Sequence, residues 1–241
     1  MIRPKAVTRR AVYLRSELKT ERPGSAAAAG YRVARGQIVA RVLVQVLLLG
    51  ALMAGLGWLV THSLVHVWPF SAEDSVDRVL AAHRDSAVDD VTSVLSTAAD
   101  TTCTVLLAVA AIIVTWRVSG HWRAPAFIAL ALALEVGIFL VTTLLVHRTR
   151  PGVVELDHSP PTSSFPSGHT AAAVVLYGAV AWLIARGTGR WEAWLLLLVP
   201  AAVAFARLYR GMHHPSDVVA GFLLGACCLV IAARAILGGR R

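Results

Sequence analysis

The stretch PAFIALALALEVGIFLVTTLLV, Pro125–Val146, carries one ionisable side chain, Glu135, in 22 residues. A run of this length and hydrophobicity can cross the hydrocarbon core of a bilayer as a helix, which takes about 20 residues. Polar residues return at once in the sequence that follows, His147-Arg148-Thr149-Arg150-Pro151. We therefore predict a membrane span here, with a cationic segment at its end.

Five other segments are similarly apolar. The six predicted spans lie near Ile38–Val60, Thr101–Trp116, Pro125–Val146, Thr170–Ala185, Trp194–Leu208 and Ser216–Leu237. The second, fourth and fifth are short, so we expect their ends to extend into flanking residues. Only 15% of the residues are charged, against about 25% in an average soluble domain. We predict an all-α fold, with one six-helix membrane domain, 38–237, preceded by a basic tail, 1–37.

Basic residues collect on one side of the predicted bundle, and they account for much of the net charge of +9. The tail 1–37 is rich in them, and the loops and terminus on the same side add Arg117, Arg123, Arg186, Arg190, Arg240 and Arg241. Cytoplasmic loops carry such an excess, so we predict a multi-pass plasma-membrane protein with both termini in the cytoplasm. The charge therefore reflects topology and predicts no nucleic-acid partner.

The connection 61–100 is predicted to lie on the opposite, extracytoplasmic side. It contains seven acidic residues but only two arginines, Arg78 and Arg84. Its apolar residues recur at helical spacing: Val76, Val79, Leu80, Ala87, Val91, Val94 and Leu95. We expect one or two amphipathic helices on or near the outer surface, between the first two spans. They could pack against the bundle or shape the entry of a substrate.

Three polar clusters fall on that same outer side, at 147–151, 166–169 and 207–217. In the second cluster, Ser167, Gly168 and His169 stand where a helix is predicted to begin. The free N–H groups at a helix N-terminus form an anion site. Arginines such as Arg150 and Arg207 present planar pairs of donors that suit phosphate oxygens.

The third cluster adds a nucleophile. His213 and Asp217 are four residues apart, so they share a face if the chain is helical from His213 onward. Asp217 could then hold one ring nitrogen while the other attacks phosphorus. Pro215 fits the first turn of the following helix. These groups predict a phosphoryl-transfer site in which charge stabilisation and positioning do the work, without a metal or other cofactor.

The three clusters together resemble the motifs of the type-2 phosphatidic acid phosphatase (PAP2) superfamily, written K-x6-R-P, P-S-G-H and S-R-x5-H-x3-D. The motifs cover roughly 147–221, and the six-span layout extends the resemblance over about 38–237. The resemblance implies that His213 forms a phosphohistidine, that Asp217 polarises it and that His169 is the general acid. It also implies that Arg150, Ser167, Gly168 and Arg207 hold the phosphate. His214 lies only three residues before Asp217, so the family spacing selects His213.

The chain departs from the family pattern at two positions. Thr143 stands at the lysine position of the first motif and cannot supply a cation. Arg148, in the same loop as Arg150, is a candidate to replace that phosphate contact. Ala206 stands where the third motif has serine, for which we expect a mild effect.

Two other features were considered as candidate sites. The three cysteines, Cys103, Cys227 and Cys228, all lie in apolar runs and match no metal-binding or disulfide pattern. Glu135 lies near the middle of a span, where an acid is functional by default. We expect it to be either a hydrogen-bond partner within the bundle or a residue of the substrate path, too deep to join the outer site directly.

The predicted activity is hydrolysis of a lipid phosphate or polyprenyl diphosphate, which makes the protein a metal-independent phosphoric ester or anhydride hydrolase of the cell envelope. Its expected partners are the lipid substrate and the membrane, and no oligomeric state is predicted. Undecaprenyl diphosphate is favoured among the family's substrates, with phosphatidylglycerol phosphate and phosphatidic acid as alternatives. Two rival functions are a vanadium haloperoxidase, which the six spans oppose, and a non-catalytic lipid transporter, which the His213–Asp217 pair opposes.

Overall fold

The computed structural model describes residues 25–158 and 162–238, with side chains from residue 36 onward within these ranges. The chain divides into two units, Met1–Arg41 and Val42–Arg241. In the first unit, the described backbone is helical from Ser25. Residues 1–24 of the predicted tail lie outside the described residues.

The described residues form α-helices joined by connections, the longest of which, 146–167, carries the first motif and leads into the second. In chain order the helices are α1 (Ser25–His62), α2 (Glu73–Ala82), α3 (Ser86–Ala98), α4 (Thr101–Ser119), α5 (Arg123–Leu145), α6 (Gly168–Thr188), α7 (Leu198–Tyr209) and α8 (Pro215–Ile236). Two 3-10 segments, Phe70–Ala72 and Trp191–Leu197, lead directly into α2 and α7. The predicted all-α fold is confirmed.

Six helical segments within the described ranges are long and apolar enough to cross a membrane. They are Gly36–His62, Thr101–Ser119, Arg123–Leu145, Gly168–Thr188, Trp191–Tyr209 and Pro215–Ile236. Each matches a predicted span to within a few residues, and the three short ones extend as expected. Two of the helices, α4 and α6, end at glycines of positive φ, Gly120 (66°) and Gly189 (72°), a common way of ending a helix.

Helices α6 and α8 approach each other closely because α8 presents glycines four residues apart. A Cβ on Gly221 would lie 2.6 Å from the carbonyl oxygen of Ser167, and one on Gly225 would lie 2.8 Å from that of Ala171. Both obstructing atoms belong to backbone, which cannot swing away. Small residues at this spacing let membrane helices pack backbone to backbone. The contact brings the N-terminal ends of the two helices together.

The connection 61–100 forms two helices, α2 and α3, as predicted, but they are oriented unexpectedly. Their buried side chains are polar: Glu73 and Asp77 on α2, and Thr92 and Ser96 on α3. Most of the predicted apolar stripe is exposed instead, with Val76, Val79, Val91 and Val94 each between 42% and 69% accessible. The polar faces are buried because they bind the arginines and the histidine of the three motifs.

We predict that Gly225→Val destabilises the protein, because its Cβ would press on the backbone of α6. Overpacking of this kind costs about 1–3 kcal/mol, which should lower the unfolding temperature in detergent by roughly 3–10 °C. Gly137→Val is the matched control, since a Cβ at Gly137 meets nothing within 4 Å. Equal unfolding temperatures for the two variants would show that the close approach of α6 and α8 is not needed.

Candidate active site

The first motif follows α5 in extended backbone. Arg150 points its guanidinium into a cavity, and its Nη1 donates to the carbonyl oxygen of Met212 at 2.7 Å. The motif's backbone also fixes a second loop, because the Ser164 N–H donates to the Arg148 carbonyl at 3.0 Å and the Ser164 hydroxyl donates to the Thr149 carbonyl at 2.9 Å. Thr143, at the family's lysine position, is buried and donates its hydroxyl to the Leu140 carbonyl at 2.9 Å.

The second motif forms the N-terminus of α6, as predicted. Ser167 precedes the helix, and its N–H donates to the Asp217 carbonyl at 2.9 Å. Gly168 and His169 stand in the first turn, where backbone N–H groups lack intrahelical acceptors, and both residues line the cavity. The Ser167 hydroxyl is fully buried and shares a 3.0 Å hydrogen bond with the Thr170 hydroxyl. The glycine and histidine therefore face the cavity, whereas the serine hydroxyl does not.

The third motif turns the chain from α7 into α8. Arg207 lies in the last turn of α7, and Gly211 adopts a φ of 72° that permits the tight reversal. Pro215 occupies the first turn of α8, as predicted. Asp217 caps this turn, because its Oδ2 accepts the His214 N–H at 2.9 Å.

His213 lies just before α8, so its contact with Asp217 differs from the expected direct bond. Its Nδ1 lies 2.7 Å from the Ser164 carbonyl oxygen and 3.8 Å from Asp217 Oδ2. A carbonyl can only accept, so Nδ1 carries the proton and Nε2 keeps its lone pair. His213 also lines the cavity. The arrangement leaves Nε2 as the nitrogen that can act as a nucleophile.

Electrostatics favour the neutral form of this imidazole before reaction. Burial lowers the pKa of His213, and the positive charges of Arg207 and Arg150 lower it further, while Asp217 opposes them. The net direction is below the usual value of 6.5. His213 is therefore unprotonated at neutral pH, which a nucleophilic nitrogen requires.

Arg207 is held by a carboxylate that the sequence did not single out. Its Nη1 donates to Asp157 Oδ2 at 2.8 Å and to the Ser96 hydroxyl at 2.6 Å. The other oxygen of Asp157 accepts from Arg210 Nε at 2.7 Å. The Nε of Arg207 is buried and has no hydrogen-bond partner among the described residues. The guanidinium is thus anchored at Nη1, and its Nε remains unpartnered among the described residues.

A cavity of about 400 Å³ joins most of the predicted site residues. Its polar walls include Arg150, Gly168, His169, Arg207 and His213. Its apolar walls come mainly from α4 and α5: Val105, Ala108, Leu132, Val136, Phe139 and Leu140. Such a cavity suits a ligand that has an anionic group at one end and a hydrocarbon part at the other.

Glu135 lines the same cavity, although we expected it to lie too deep for the outer site. It is 2% exposed, and its Oε2 has no hydrogen-bond partner in the described part of the chain. Glu135 lies one helical turn below Phe139, whose ring would touch a Cβ on Gly168 at 2.8 Å. The cavity therefore extends at least one turn beneath the start of α6.

Arg148 is placed differently from the other predicted phosphate ligands. Its Nη1 donates to Asp217 Oδ1 at 2.5 Å and to the Ser216 hydroxyl at 2.7 Å, and its Nη2 donates to Glu73 Oε2 at 2.6 Å. The guanidinium is thus shared between two carboxylates. This geometry favours a role in holding Asp217 over a replacement of the missing lysine.

Sequence reasoning missed the partners that hold the motif residues: Ser164, Asp157, Ser96, Glu73 and Asp77. The role of Ser164 is carried by its backbone carbonyl, which has no sequence signature. The others are polar side chains in the connections 61–100 and 147–168, where a buried acid looks like any exposed one. The signal available was that Glu73 and Asp77 are four residues apart on a predicted helix.

Three side chains beside the site could hold a metal ion: Asp74, Asp77 and His214. Their candidate ligand atoms lie within 4.8 Å of one another. Two of the three are already paired, since His214 Nδ1 lies 2.7 Å from Asp77 Oδ2. None of the three is among the cavity-lining residues. The hydrogen bond between His214 and Asp77 uses one candidate ligand atom of each residue, and Asp77 Oδ1 has no partner among the described residues.

The family model described as the PAP2 superfamily matches residues 124–240, which contain all three motifs. Over this segment, which is just under half of the chain, the chain is similar to the PAP2 superfamily. Two solved structures share the fold of this chain. A transmembrane PAP2 type phosphatidylglycerolphosphate phosphatase from Bacillus subtilis has a TM-score of 0.68 at 19% identity, with 82% of this chain and 97% of that chain covered. Aquifex aeolicus LpxE has a TM-score of 0.57 at 21% identity, covering 70% and 98%.

Curated relatives match this chain over part of their length. A decaprenylphosphoryl-5-phosphoribose phosphatase from Mycobacterium tuberculosis is 36% identical over 130 residues, which are 52% of this chain and 63% of that protein. An undecaprenyl-diphosphatase from Sulfolobus acidocaldarius is 42% identical over 72 residues, 30% of this chain and 32% of that protein. The matched part is below two thirds of each relative's length.

Asp157 binds both Arg207 and Arg210. We predict that Asp157→Asn destabilises the folded protein in a pH-dependent way. Burial raises the pKa of Asp157, but hydrogen bonds from Ser96 and Arg210 and the charges of Arg207 and Arg210 outweigh it, so the pKa lies below 3.8. Because its pKa is lowered on folding, the carboxylate stabilises the fold at pH above its unfolded-state pKa. This stabilisation is lost as the pH falls through the folded-state pKa. The variant should therefore unfold at a lower temperature than wild type at pH 7, and the difference should shrink below about pH 4.

Asp90→Asn is the control for this comparison, because Asp90 is exposed on α3. It should leave the unfolding temperature unchanged at both pH values. An Asp157→Asn protein as stable as wild type at pH 7, or one whose deficit grows in acid, would contradict the assignment.

Proposed function

We propose that this membrane protein is a lipid phosphatase or diphosphatase that works through a phosphohistidine on His213. The observation that carries the proposal is that Nε2 of His213, His169 and the two arginines share one cavity with the N-terminus of α6. These groups supply a nucleophile, an acid and cationic donors for phosphate oxygens. The phosphatase names of the PAP2 relatives support the same class of reaction.

In the first step, His213 Nε2 attacks phosphorus and the bond from phosphorus to the leaving oxygen breaks. His169 donates a proton to that oxygen, which leaves as the lipid alcohol or lipid phosphate. Arg150, Arg207 and the N–H groups at the start of α6 stabilise the charge on the phosphoryl oxygens. Asp217, 3.8 Å from Nδ1, stabilises the positive charge that the imidazole acquires.

In the second step, water cleaves the phosphorus–nitrogen bond. His169, now unprotonated, accepts a proton from the attacking water, so the residue reverses its role. Inorganic phosphate is released and His213 returns to its neutral form. The cycle uses protein side chains only, and we expect it to proceed in EDTA.

The substrate that we propose first is undecaprenyl diphosphate, presented at the extracytoplasmic face. The basic tail and loops support this orientation through the positive-inside rule. Apolar side chains of α4 and α5 in the cavity wall offer contacts for a lipid tail. Two relatives are named as undecaprenyl-diphosphatases, one from Sulfolobus acidocaldarius and a putative one from Escherichia coli.

Glu135 favours a second candidate, a lipid monophosphate whose head group carries hydroxyls. A buried acid without a partner is costly, so a ligand that supplies a hydrogen-bond donor gains affinity there. Glycerol and ribose head groups have such hydroxyls beside the phosphate, whereas a polyprenyl diphosphate has none. Relatives named phosphatidylglycerophosphatase B, from Bacillus subtilis, and decaprenylphosphoryl-5-phosphoribose phosphatase fit this class.

We predict that purified protein in detergent with EDTA releases phosphate from at least one of undecaprenyl diphosphate, phosphatidylglycerol phosphate and phosphatidic acid. His213→Ala should abolish the release, because the proposed covalent intermediate forms on His213. His147→Ala is the matched control, since His147 is exposed and lies outside the cavity lining. Release that survives in His213→Ala would refute the mechanism, and lipid transport unaffected by His213→Ala would favour a transporter on the same fold.

We predict that Glu135→Leu separates the two substrate classes. Hydrolysis of phosphatidylglycerol phosphate should fall by about 10-fold or more, because a hydroxyl then faces an apolar wall without its acceptor. Hydrolysis of phosphatidic acid, which lacks that hydroxyl, should change by less than about 3-fold, and Glu135→Gln should retain most of both activities. Equal loss on both lipids would mean that Glu135 serves the bundle and not the head group.

A further inference from the structure

The Asp217 carboxylate is fully committed to partners other than the imidazole. Its Oδ2 caps the His214 N–H at 2.9 Å, and its Oδ1 accepts from Arg148 Nη1 at 2.5 Å. The side chain is completely buried. Its position and effective charge are therefore set by Arg148 as much as by its own helix.

The net charge of Asp217 and Arg148 together matters for catalysis. An Asp217–Arg148 ion pair carries no net charge, so by itself it would stabilise an adjacent imidazolium only weakly. The cations Arg150 and Arg207 also act on His213 and disfavour a positive imidazole. A further negative charge behind Asp217 would offset them.

Glu73, the first residue of α2, is placed to do this. Its Oε2 accepts from Arg148 Nη2 at 2.6 Å, and its Oε1 accepts the Ser216 backbone N–H at 2.6 Å. The side chains of Glu73 and Arg148 are only 8% and 9% exposed. Two carboxylates thus flank one guanidinium, and the group Glu73–Arg148–Asp217 has a net charge of −1.

A second contact holds α2 in place against α8. Asp77, one turn further along α2, lies with its Oδ2 2.7 Å from His214 Nδ1. Helix α2 therefore contacts the start of α8 through two acids four residues apart. Glu73 binds Ser216, and Asp77 binds His214. These two contacts explain why α2 buries its polar face, and they hold Glu73 beside Arg148.

We propose that Glu73 is a positioning residue for the reaction, acting through Arg148 on Asp217. Its negative charge keeps the group beside His213 net anionic, so that the imidazole can become positive when Nε2 bonds to phosphorus. The proposal rests on the phosphohistidine mechanism above for its kinetic consequence. Its electrostatic consequence holds for any substrate. Arg148 accordingly serves Asp217 and leaves phosphate binding to Arg150 and Arg207.

The test compares Glu73→Gln, Asp217→Asn and the double variant. Glu73→Gln should lower kcat by about 10-fold while KM and the inhibition constant for the product, inorganic phosphate, stay within about 2-fold of wild type, because the phosphate ligands are untouched. In the Asp217→Asn background, adding Glu73→Gln should change kcat by less than about 2-fold, since the residue through which it acts is already neutral. Glu73→Asp, which keeps the charge, should recover most of kcat, and Asp90→Asn should match wild type.

Titration of the His213 imidazole by NMR tests the electrostatic part without any substrate. His213 faces Asp217, Arg148 behind it, the cations Arg150 and Arg207, and His169 across the cavity. Removing the charge of Glu73 should lower the pKa of His213, because the remaining surroundings are more positive. Glu73→Asp should leave it near the wild-type value, and this pair of variants carries the test if Glu73→Gln unfolds.

Three results would overturn the proposal. The first is a His213 titration that is the same in wild type and the charge-removing variant. The second is full additivity of Glu73→Gln and Asp217→Asn. The third is a rise in KM and in the inhibition constant for inorganic phosphate at unchanged kcat, which would make Arg148 a phosphate ligand. A shifted titration in a protein that hydrolyses none of the lipids would leave the charge arrangement standing and remove the proposed function.

Discussion

The close contact between the N-terminal ends of α6 and α8 is the constraint on which the site depends. Gly221 lets the Ser167 carbonyl approach to the point where a Cβ would be only 2.6 Å away, and the Ser167 N–H then reaches the Asp217 carbonyl at 2.9 Å. His169 and His213 come from motifs more than 40 residues apart. They share a cavity because this contact fixes the two helix starts side by side. Any larger residue at Gly221 would separate the acid from the nucleophile.

The membrane explains why the polar groups of this protein are buried in such number at one end. Lipid offers no hydrogen bonds, so charged side chains collect where helices end and satisfy one another there. Helices α2 and α3 complete this polar layer from above. They turn Asp77 and Ser96 inward and leave Val79 and Val94 exposed, which is the arrangement expected of helices whose outer face meets the bilayer interface.

The sequence predicted the fold well because each span is an independent signal of length and hydrophobicity. The three motifs were equally readable, since their residues are close in sequence and their chemistry is specific. What could not be predicted were contacts between distant polar residues. Asp157 and Arg207 are 50 residues apart, and Glu73 and Arg148 are 75 apart. Pairing at that range depends on how helices pack, and a single sequence contains no trace of it.

The predicted direct bond from Asp217 to His213 illustrates a further limit. Spacing by four implies a shared face only if both residues are helical, and α8 begins two residues after His213. His213 instead contacts a backbone carbonyl, that of Ser164, which fixes its tautomer without adding charge.

Orientation and charge stabilisation of the His213 ring are provided by different groups. A neutral carbonyl orients the ring, while the carboxylate at 3.8 Å acts on charge alone. The two requirements of a histidine nucleophile, a free lone pair before attack and a stabilised cation after it, are thereby met by different groups. The orientation of the His213 ring depends on the Ser164 loop, which the first motif holds in place. The negative charge beside the ring depends on the acids of α2. Each can therefore be altered without the other, which is why the connection between the first two spans belongs to the chemistry as much as the motifs do.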